Sequence, residues 1–587
     1  MAPTWAFSDP LGQIAGVTIT GFDTNGNGYD NIRYNGVRSP PSSVDRYWDG
    51  GIIGDGGTNG LNGGSGIWNT ANQNWTNPNG TPNNAWPQSG TAIFSGSSGS
   101  IVDVVDIQSF GGLTFLTDGY LLQGGELRIT PASGNSATIL VEPGLTATIS
   151  TRLTDGGANY GIVKTGTGTL ILSGDNTYTG GTLLQEGTLG VGHNNALGTG
   201  ALTMEANTTL RAELTGLSLA NNVTLNGAAT VDTQTYTLTL SGIIGGAGAL
   251  TKTGGGTLTL TGSNSYTGNT TVSAGTLQIA GAGSLGQGNY AGNIALSGGA
   301  LLYSSSVNQT LSGVSSGGGS LTKDGADSTL ILTGGNSYTG NTTVSAGTLQ
   351  IAGAGSLGQG DYAGAIALSG GSLRYSSSVN QTLSGVISGG GSLTKDGADS
   401  TLILTGDNGY QGGTALQQGV IGVGHNNALG TGALTMEANT TLLAEVNNLA
   451  LGNAVTLNGA AAVNTQSNTL TLGGVVGGAG ALTKQGDGTL ILTGSNSYTG
   501  NTTVSAGTLQ IAGAGSLGEG DYAGAIALSG GSLRYSSSVN QTLSGVISGS
   551  GALTKDGADS TLILTGDNGY QGGTALQQGV IGVGHNN

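Results

Sequence analysis

The chain repeats long stretches of its own sequence. The segment from Asn264 to Gly288 recurs letter for letter from Asn336 to Gly360, and it recurs from Asn496 to Gly520 with Gln287 replaced by Glu519. A chain of this kind buries its apolar side chains by stacking each repeat on the next. This pattern excludes most enzyme architectures.

One lysine marks the repeat. It opens a phrase that reads LTKTGGGTLTLTGSNSYTGNTTVSAGTLQI in the copy from Leu250 to Ile279. Successive lysines are separated either by a short step, such as Lys252 to Lys323, or by a long step, such as Lys395 to Lys484. Where an aspartate follows, as in Lys323-Asp324, we expect a solvated surface charge pair that adds little stability. The marking lysines are Lys164, Lys252, Lys323, Lys395, Lys484 and Lys555.

A larger block contains several of these steps. The shift from Lys252 to Lys484 equals the shift from His193 to His425, so both residues recur with the same long period. Unit lengths therefore alternate within a pattern that itself repeats.

The composition predicts many short strands joined by tight turns. Glycine accounts for 118 of 587 residues, far above the usual share of about 7%, but it does not fall at every third position as in collagen. Hydrophobic residues make up 36% of the chain and alternate with Thr, Ser and Gly. Thr, Val, Ile and Tyr favour strands, whereas Gly and Asn favour turns.

The repeated phrase has the period of a β-strand. Leu258 and Leu260 alternate with threonines, and two similar segments follow after Gly, Asn and Ser corners. Three such strands form one turn in this interpretation, and stacked turns bury a column of aliphatic side chains. The sequence therefore predicts an all-β fold, a right-handed parallel β-helix (β-solenoid) with an irregular, Trp-rich N-terminal cap.

The predicted organisation has three parts. Residues 1–47 form an N-terminal extension, 48–160 form an irregular cap with the first coils, and 161–587 form the repetitive β-helix. The five tryptophans all precede the regular repeats, at Trp5, Trp48, Trp68, Trp75 and Trp86. They favour a cap that closes the end of the solenoid over an aromatic platform for sugars.

Charge and cysteine content exclude several classes. A net charge of −17 disfavours binding to nucleic acid and to anionic lipid. The absence of cysteine rules out disulfides and thiolate chemistry and suits a chain that crosses a membrane unfolded. No apolar run is long enough to span a membrane. No signal peptide precedes MAPTWAF, and the last residues, GVGHNN, stop within a repeat, which predicts a chain cut from a longer one.

The phrase GTLxLTGxNxYTGxTxVxxGTL resembles the β-strand repeat of bacterial autotransporter (type V secretion) passenger domains. Ser replaces its leading Gly in three copies, and Gln follows Tyr410 and Tyr570 where the pattern has Thr. WDGG at Trp48 and GIWN at Gly66 are similar to the start of such passengers. The resemblance implies an extracellular or cell-surface location and an outer-membrane barrel in the precursor. The six copies are 168–189, 256–277, 328–349, 400–421, 488–509 and 560–581.

No catalytic constellation is predicted. All three histidines, His193, His425 and His585, occupy one repeat position, so none has the dedicated partners that a catalytic triad needs. Most acids are also repeat-encoded, and the acids outside the repeats lack the spacing of a glycosidase pair. We predict no enzyme activity and no bound cofactor, apart from the ion considered next.

One local motif resembles the first half of a calcium loop. Oxygen-bearing side chains alternate at Asp23, Asn25, Asn27 and Asn31, and glycines between them allow a bend. The twelfth position, where such a loop needs an acid, holds Tyr34. An Asn/Gly-rich turn is the alternative and is favoured, so Ca²⁺ is a weak candidate ligand.

We expect a surface-exposed or secreted passenger that acts as an adhesin or a self-association module. Rows of Thr, Ser and Asn on a weakly charged surface can form many small hydrogen bonds, so affinity would come from repetition. The expected partner is a host-cell surface protein or glycan, or identical copies of the chain. A structural spacer that presents the N-terminal region and a secreted virulence or signalling effector remain alternatives.

Overall fold

A computed structural model describes residues 17–19, 32–34, 45–50, 62–80 and 82–584. The chain divides into two compact units, 1–200 and 201–587. The three parts predicted from the sequence stay a prediction. In the described residues of each unit, parallel strands stack into a β-solenoid with almost no helix, which confirms the predicted parallel β-helix. Its right-handedness stays a prediction.

Unit 1–200 contains two long stacks of strands. Val17–Ile19 and Ile32–Tyr34 form a separate antiparallel pair. The strands of the first stack, in spatial order, are Trp75–Thr76, Arg46–Trp48, Thr91–Phe94, Gly112–Phe115, Ser136–Val141, Gly161–Thr165 and Thr182–Leu184. Those of the second are Gly66–Trp68, Ile101–Phe110, Tyr120–Ile129, Thr146–Ile149, Thr169–Leu172 and Thr188–Val191, with Arg152–Thr154 beside Tyr120–Ile129.

Aromatic residues fill the beginning of the solenoid in this unit. The side chains of Trp48, Trp68 and Trp75 are completely buried, and Trp86 is 4% exposed. The ring centroids of Trp75 and Trp86 are 4.5 Å apart, and those of Trp68 and Trp75 are 4.9 Å apart. Arg46–Trp48 and Trp75–Thr76 pair antiparallel, unlike the parallel pairs that follow. These four tryptophans therefore pack inside the solenoid, as the cap interpretation predicted, and offer no open ring faces to a sugar. Trp5 lies outside the described residues.

Unit 201–587 is a three-sided solenoid, and each turn places one segment on each side. The strands of the first side are Leu202–Met204, Val223–Leu225, Ile244–Gly246, Asn289–Tyr290, Gln309–Leu311, Thr329–Leu332, Thr348–Gly353, Ser372–Ser377, Leu393–Lys395, Thr414–Leu416, Leu434–Met436, Val455–Leu457, Val476–Gly477, Asp521–Tyr522, Gln541–Leu543, Thr561–Leu564 and Val580–Val583.

The other two sides follow the same pattern. The strands of the second side are Thr209–Ala212, Ala229–Asp232, Leu250–Thr253, Thr270–Val272, Ile294–Leu296, Ser315–Ser316, Asp361–Tyr362, Gln381–Leu383, Thr401–Leu404, Val420–Val423, Thr441–Ala444, Ala461–Asn464, Leu482–Gln485, Thr502–Val504, Ile526–Leu528 and Ile547–Gly549. Those of the third are Leu217–Leu219, Thr237–Leu240, Thr257–Leu260, Thr276–Gly281, Ala300–Ser305, Leu321–Lys323, Thr342–Val344, Ile366–Ala367, Ile387–Ser388, Leu449–Leu451, Thr469–Leu472, Thr489–Leu492, Thr508–Ile511, Ser532–Tyr535, Leu553–Lys555 and Thr574–Leu576. Short 3₁₀ turns lie at Gly286–Gly288, Gly358–Gly360 and Gly518–Gly520.

The repeated phrase winds through more than one turn, so the prediction of one turn per phrase is wrong. Strand Thr257–Leu260 pairs in register with Thr276–Gly281, the strand that was predicted to lie beside it in the same turn. The reason is that the polar segment 264–267 forms a side of the solenoid by itself. Its backbone N–H groups donate to Ile244 and Gly246 carbonyls in the turn below, at 2.8–3.1 Å.

Polar ladders run inside this apolar solenoid. Asn264 is fully buried and accepts the Ile244 N–H at 2.9 Å, while its amide nitrogen donates to the carbonyls of Gly262 and Ser284 at 2.9 and 3.0 Å. One side chain thereby ties a turn to the turns on both sides. Equivalent buried asparagines are Asn336, Asn408 and Asn496.

Successive repeats begin on successive sides of unit 201–587. Lys252 lies on the second side, Lys323 on the third, Lys395 on the first and Lys484 again on the second. A short step therefore covers three and one third turns, and the long step from Lys395 to Lys484 covers four and one third. The long period from Lys252 to Lys484 therefore covers eleven turns, or levels, of the solenoid, and it brings the start of the repeat back to the same side. One of these levels is the irregular segment 337–339.

Candidate interaction surface

The outward sides of the strands carry in-register rows of mostly polar side chains. On the third side, Thr239, Thr259, Gln278, Leu302, Thr322 and Thr343 lie at paired positions of consecutive strands, and all are half-buried. Some positions are linked along the row, since Gln278 Nε2 donates to the hydroxyl of Ser304 at 3.0 Å. Such a surface offers many weak hydrogen bonds and little charge.

Exposed valines interrupt this polar surface at two positions of the segment SSSVNQTLSGV, which occurs three times. Their exposed fractions are 36–46%. The backbone of Val379 is held in place, because the Tyr375 hydroxyl donates to its carbonyl at 2.5 Å. The side chains themselves face solvent, and they give each copy the same small apolar spots. The valines, in pairs, are Val307 and Val314, Val379 and Val386, and Val539 and Val546.

Two of these copies also carry an ion pair between adjacent turns. Arg374 Nε donates to Asp396 Oδ2 at 2.7 Å, and Arg534 makes the same contact with Asp556. In the first copy, Leu302 replaces the arginine, and Asp324 Oδ1 is buried without a hydrogen-bond partner among the described residues. The three copies therefore have the same shape but not the same charge.

The marking lysines are not surface residues, which corrects the expectation of a solvated Lys323-Asp324 pair. All six are completely buried. Lys252 Nζ donates to the carbonyls of Thr253, Gly254 and Ala274 at 2.8, 2.7 and 3.1 Å, so the ammonium closes the corner between two turns. Lys323, Lys395 and Lys555 donate to fewer carbonyls and lie 5.7–5.9 Å from a tyrosine ring centroid.

Burial also changes the acidity of these lysines. Desolvation lowers the pKa of Lys164, Lys252, Lys395 and Lys484 to about 8, and nearby carboxylates such as Glu186 and Asp232 offset part of this effect. The phrase thus uses its lysine to satisfy backbone carbonyls, and this position is not available to a partner.

The repeated histidines form small polar clusters at corners. His193 Nδ1 lies 3.8 Å from Asp175 Oδ1, and His425 Nδ1 lies 3.7 Å from Asp407 Oδ1. In both clusters Nδ1 accepts the N–H of a nearby asparagine, at 3.1 Å, as expected for a turn residue. His585 lies outside the described residues.

The calcium-loop candidates cannot be placed. Asp23, Asn25, Asn27 and Asn31 all lie outside the described residues, and Ca²⁺ binding there stays a prediction. Across the ranges that are described, no group of three or more His, Asp or Glu residues could hold a metal ion. In the same ranges, no helix is long and apolar enough to cross a membrane.

The repeat matches a known family. The model of the passenger-associated transport repeat matches residues 162–191, 250–279, 321–351, 393–423, 482–511 and 553–583. Each match contains the buried lysine and the strand that follows it. The chain is an autotransporter passenger region.

A named relative extends this assignment. The passenger region is 34% identical to the adhesin BmaC autotransporter of Brucella suis biovar 1 (strain 1330), over 79% of this chain. It spans only 16% of the length of that relative. No solved structure matches.

Sequence reasoning missed which outward residues share a side. The spacing of the phrase was visible, but the rotation of successive repeats depends on the length of each turn. One signal was available: the turn from Thr270 to Ile294 is longer than the turn from Leu250 to Thr270. The longer turn contains the protruding loop at Gly286–Gly288.

Proposed function

We propose that this passenger region is a non-enzymatic adhesive segment displayed at the cell surface. The observation that carries the proposal is that the repeated phrase begins on each side of unit 201–587 in turn, so its outward side chains recur around the solenoid. The name of the Brucella relative supports the same function. The expected partner is a host-cell surface protein or glycan, or a second copy of the chain.

The surface chemistry fits many weak contacts rather than one deep pocket. Half-buried threonines provide hydroxyl donors and acceptors, and the valines at Val307, Val379 and Val539 add an apolar contact in each copy. Weak contacts repeated on a rigid support gain affinity because each later contact forms at a high effective concentration. Removing one type of contact from every copy should therefore reduce binding far more than removing it from one copy.

The test uses the whole chain immobilised on beads, presented to epithelial cells and to other coated beads. Replacing the six exposed valines by serine should reduce bead attachment or bead–bead aggregation at least tenfold, because the repeated apolar contacts are lost. The matched control replaces three outward threonines of the same repeats by serine, which keeps the hydroxyls; these are Thr322, Thr394 and Thr554.

The two readouts separate the partners. Attachment to cells without aggregation indicates a host receptor, and aggregation without attachment indicates self-association. If coated beads show neither, the adhesive proposal is wrong and the spacer becomes the better interpretation. If the valine variant behaves like the threonine control, adhesion stands but the valines do not contribute.

A further inference from the structure

One of the longest turns of unit 201–587 carries an open depression of about 470 Å³. It lies between the segment 337–341 and the loop 358–364. Its walls include Ser337, Asn341, Gln359 and Asp361, and Tyr362 lies beneath them. Polar side chains therefore surround a space of the size that small ligands occupy in proteins.

The side chains at the rim keep unused hydrogen-bonding capacity. Asn341 Oδ1 accepts the Ala365 N–H at 3.1 Å, which fixes the amide and leaves its Nδ2 without a partner among the described residues. The Gln359 side chain also has no hydrogen-bond partner among the described residues. Asp361 accepts a hydrogen bond from the Ser384 hydroxyl at 2.7 Å through Oδ1. Amides and a carboxylate around a depression are suited to bind the hydroxyl groups of a sugar.

The loop holds Gln359 in an unusual backbone conformation. Its φ is 56°, in the left-handed region that favours glycine, although glycines stand on both sides of it. The equivalent Gln287 and Glu519 have φ values of 54°. A polar side chain is therefore presented at the tip of the loop in a place where glycine would fit without strain.

The loop and its tyrosine floor occur three times in this unit. The floor is fixed in the same way each time: the Tyr266–Tyr290, Tyr338–Tyr362 and Tyr498–Tyr522 ring pairs all have centroids 5.5 Å apart and an interplanar angle of 62°. Copies one and three lie at the same corner of the solenoid, eleven levels apart, and copy two lies at another corner. At about 4.8 Å per level, copies one and three are roughly 53 Å apart along the stack.

We propose that this depression and the corresponding places in the other two copies are subsites for neutral saccharides, an assignment that rests on the proposed adhesive function and names the chemistry of its ligand. Carboxylates at Asp361, Glu519 and Asp521, together with the net charge of −17, disfavour sialylated or sulfated sugars. Three weak subsites that point to two corners bind a glycan-coated surface more tightly than a single soluble glycan.

The test uses the whole chain on an array of defined oligosaccharides that end in glucose, galactose, mannose or N-acetylglucosamine, with sialylated versions beside them. The variant combines Gln287→Gly, Gln359→Gly and Glu519→Gly. These changes remove the rim side chains and relieve the left-handed backbone, so the melting temperature should stay the same or rise. The matched control changes three exposed alanines of the same repeats, Ala282, Ala354 and Ala514, to serine; Ala354 does not line the depression.

We expect binding to one or more neutral termini, at least tenfold less binding by the glycine variant, and unchanged binding by the serine control. No binding to any neutral terminus, or equal binding by the glycine variant, overturns the subsites. In that case, beads that still attach to cells leave the adhesive function intact. Preferential binding to the sialylated versions also overturns the assignment, because it contradicts the charge argument.

Discussion

The position just before the repeated TL strand tests how closely adjacent turns approach. Gly256 occupies it in one copy, where a Cβ atom would lie 1.8 Å from the Tyr236 carbonyl oxygen of the turn below. Ser328 occupies it in the next copy and donates its hydroxyl to the Ser305 carbonyl at 2.6 Å. The difference arises because the corner from Lys252 to Thr257 is one residue shorter than the equivalent corner from 323 to 329.

We therefore expect Gly256→Ser to be far more harmful than Ser328→Gly. The new Cβ must displace a backbone carbonyl by more than an ångström, which costs about 3 kcal/mol as overpacking. The hydrogen bond from the Thr257 N–H to the displaced carbonyl, now 3.0 Å long, is worth about 1 kcal/mol more. Ser328→Gly loses one hydrogen bond and gains unfolded-state entropy, for a total of about 1–2 kcal/mol.

Native-state hydrogen exchange at the Thr257 and Thr329 amides measures each effect locally, which suits a solenoid whose turns open separately. A difference of about 2 kcal/mol corresponds to roughly 30-fold in exchange protection. Replacing the short corner TGGG, residues 253–256, by the longer DGADS should restore protection while keeping a serine before Thr257. If Gly256→Ser loses no more protection than Ser328→Gly, the argument from corner length is wrong.

Three further predictions follow from the interior and surface contacts. The free energy of unfolding should rise between about pH 8 and pH 10, because the unfolded lysines, with pKa near 10.4, bind more protons there than folded ones such as Lys252, with pKa about 8. It should fall above pH 10, because burial raises the pKa of tyrosines such as Tyr178, so the tyrosines of the unfolded chain ionise first. A urea midpoint that is flat or falling from pH 8 to pH 10 contradicts the lysine argument. Asn496→Ala should cost about 3 kcal/mol in urea unfolding, because it removes the three hydrogen bonds of a fully buried side chain. The exposed Asn501→Ala should cost under about 1 kcal/mol, and similar losses in the two variants would count against the ladder. Arg374→Leu should cost at most about 1 kcal/mol, as the ion pair is partly exposed and the first copy already carries leucine there, and a larger shift of the urea midpoint would show that the pair is structural.

The sequence predicted the class of fold because its signal is local and periodic. Leu258, Leu260, Leu277 and Ile279 alternate with polar residues, and all four are fully buried. Parallel stacking followed from the repetition itself, since identical segments present identical apolar faces to one another.

What the sequence left undetermined depends on contacts between turns. Lys323 looks like a surface charge in isolation, and only the carbonyls that converge on the corner explain its burial. The division of the phrase into turns failed because Asn264 and Tyr266, both polar, turn inward and form a side of the solenoid without a regular strand. Gln359 was part of a repeated string, and nothing in that string indicated its left-handed backbone.

The fractional number of turns per repeat has a consequence for how such a protein changes length over generations. Near-identical stretches of a gene recombine, and the product loses or gains whole units. Loss of one short unit, such as Lys323 to Lys395, would rotate every downstream site by a third of a circle. Loss of the whole block from Lys252 to Lys484 would shorten the protein and leave those sites facing the way they did. Length variants that keep their orientation toward a neighbouring cell should therefore differ by multiples of three units.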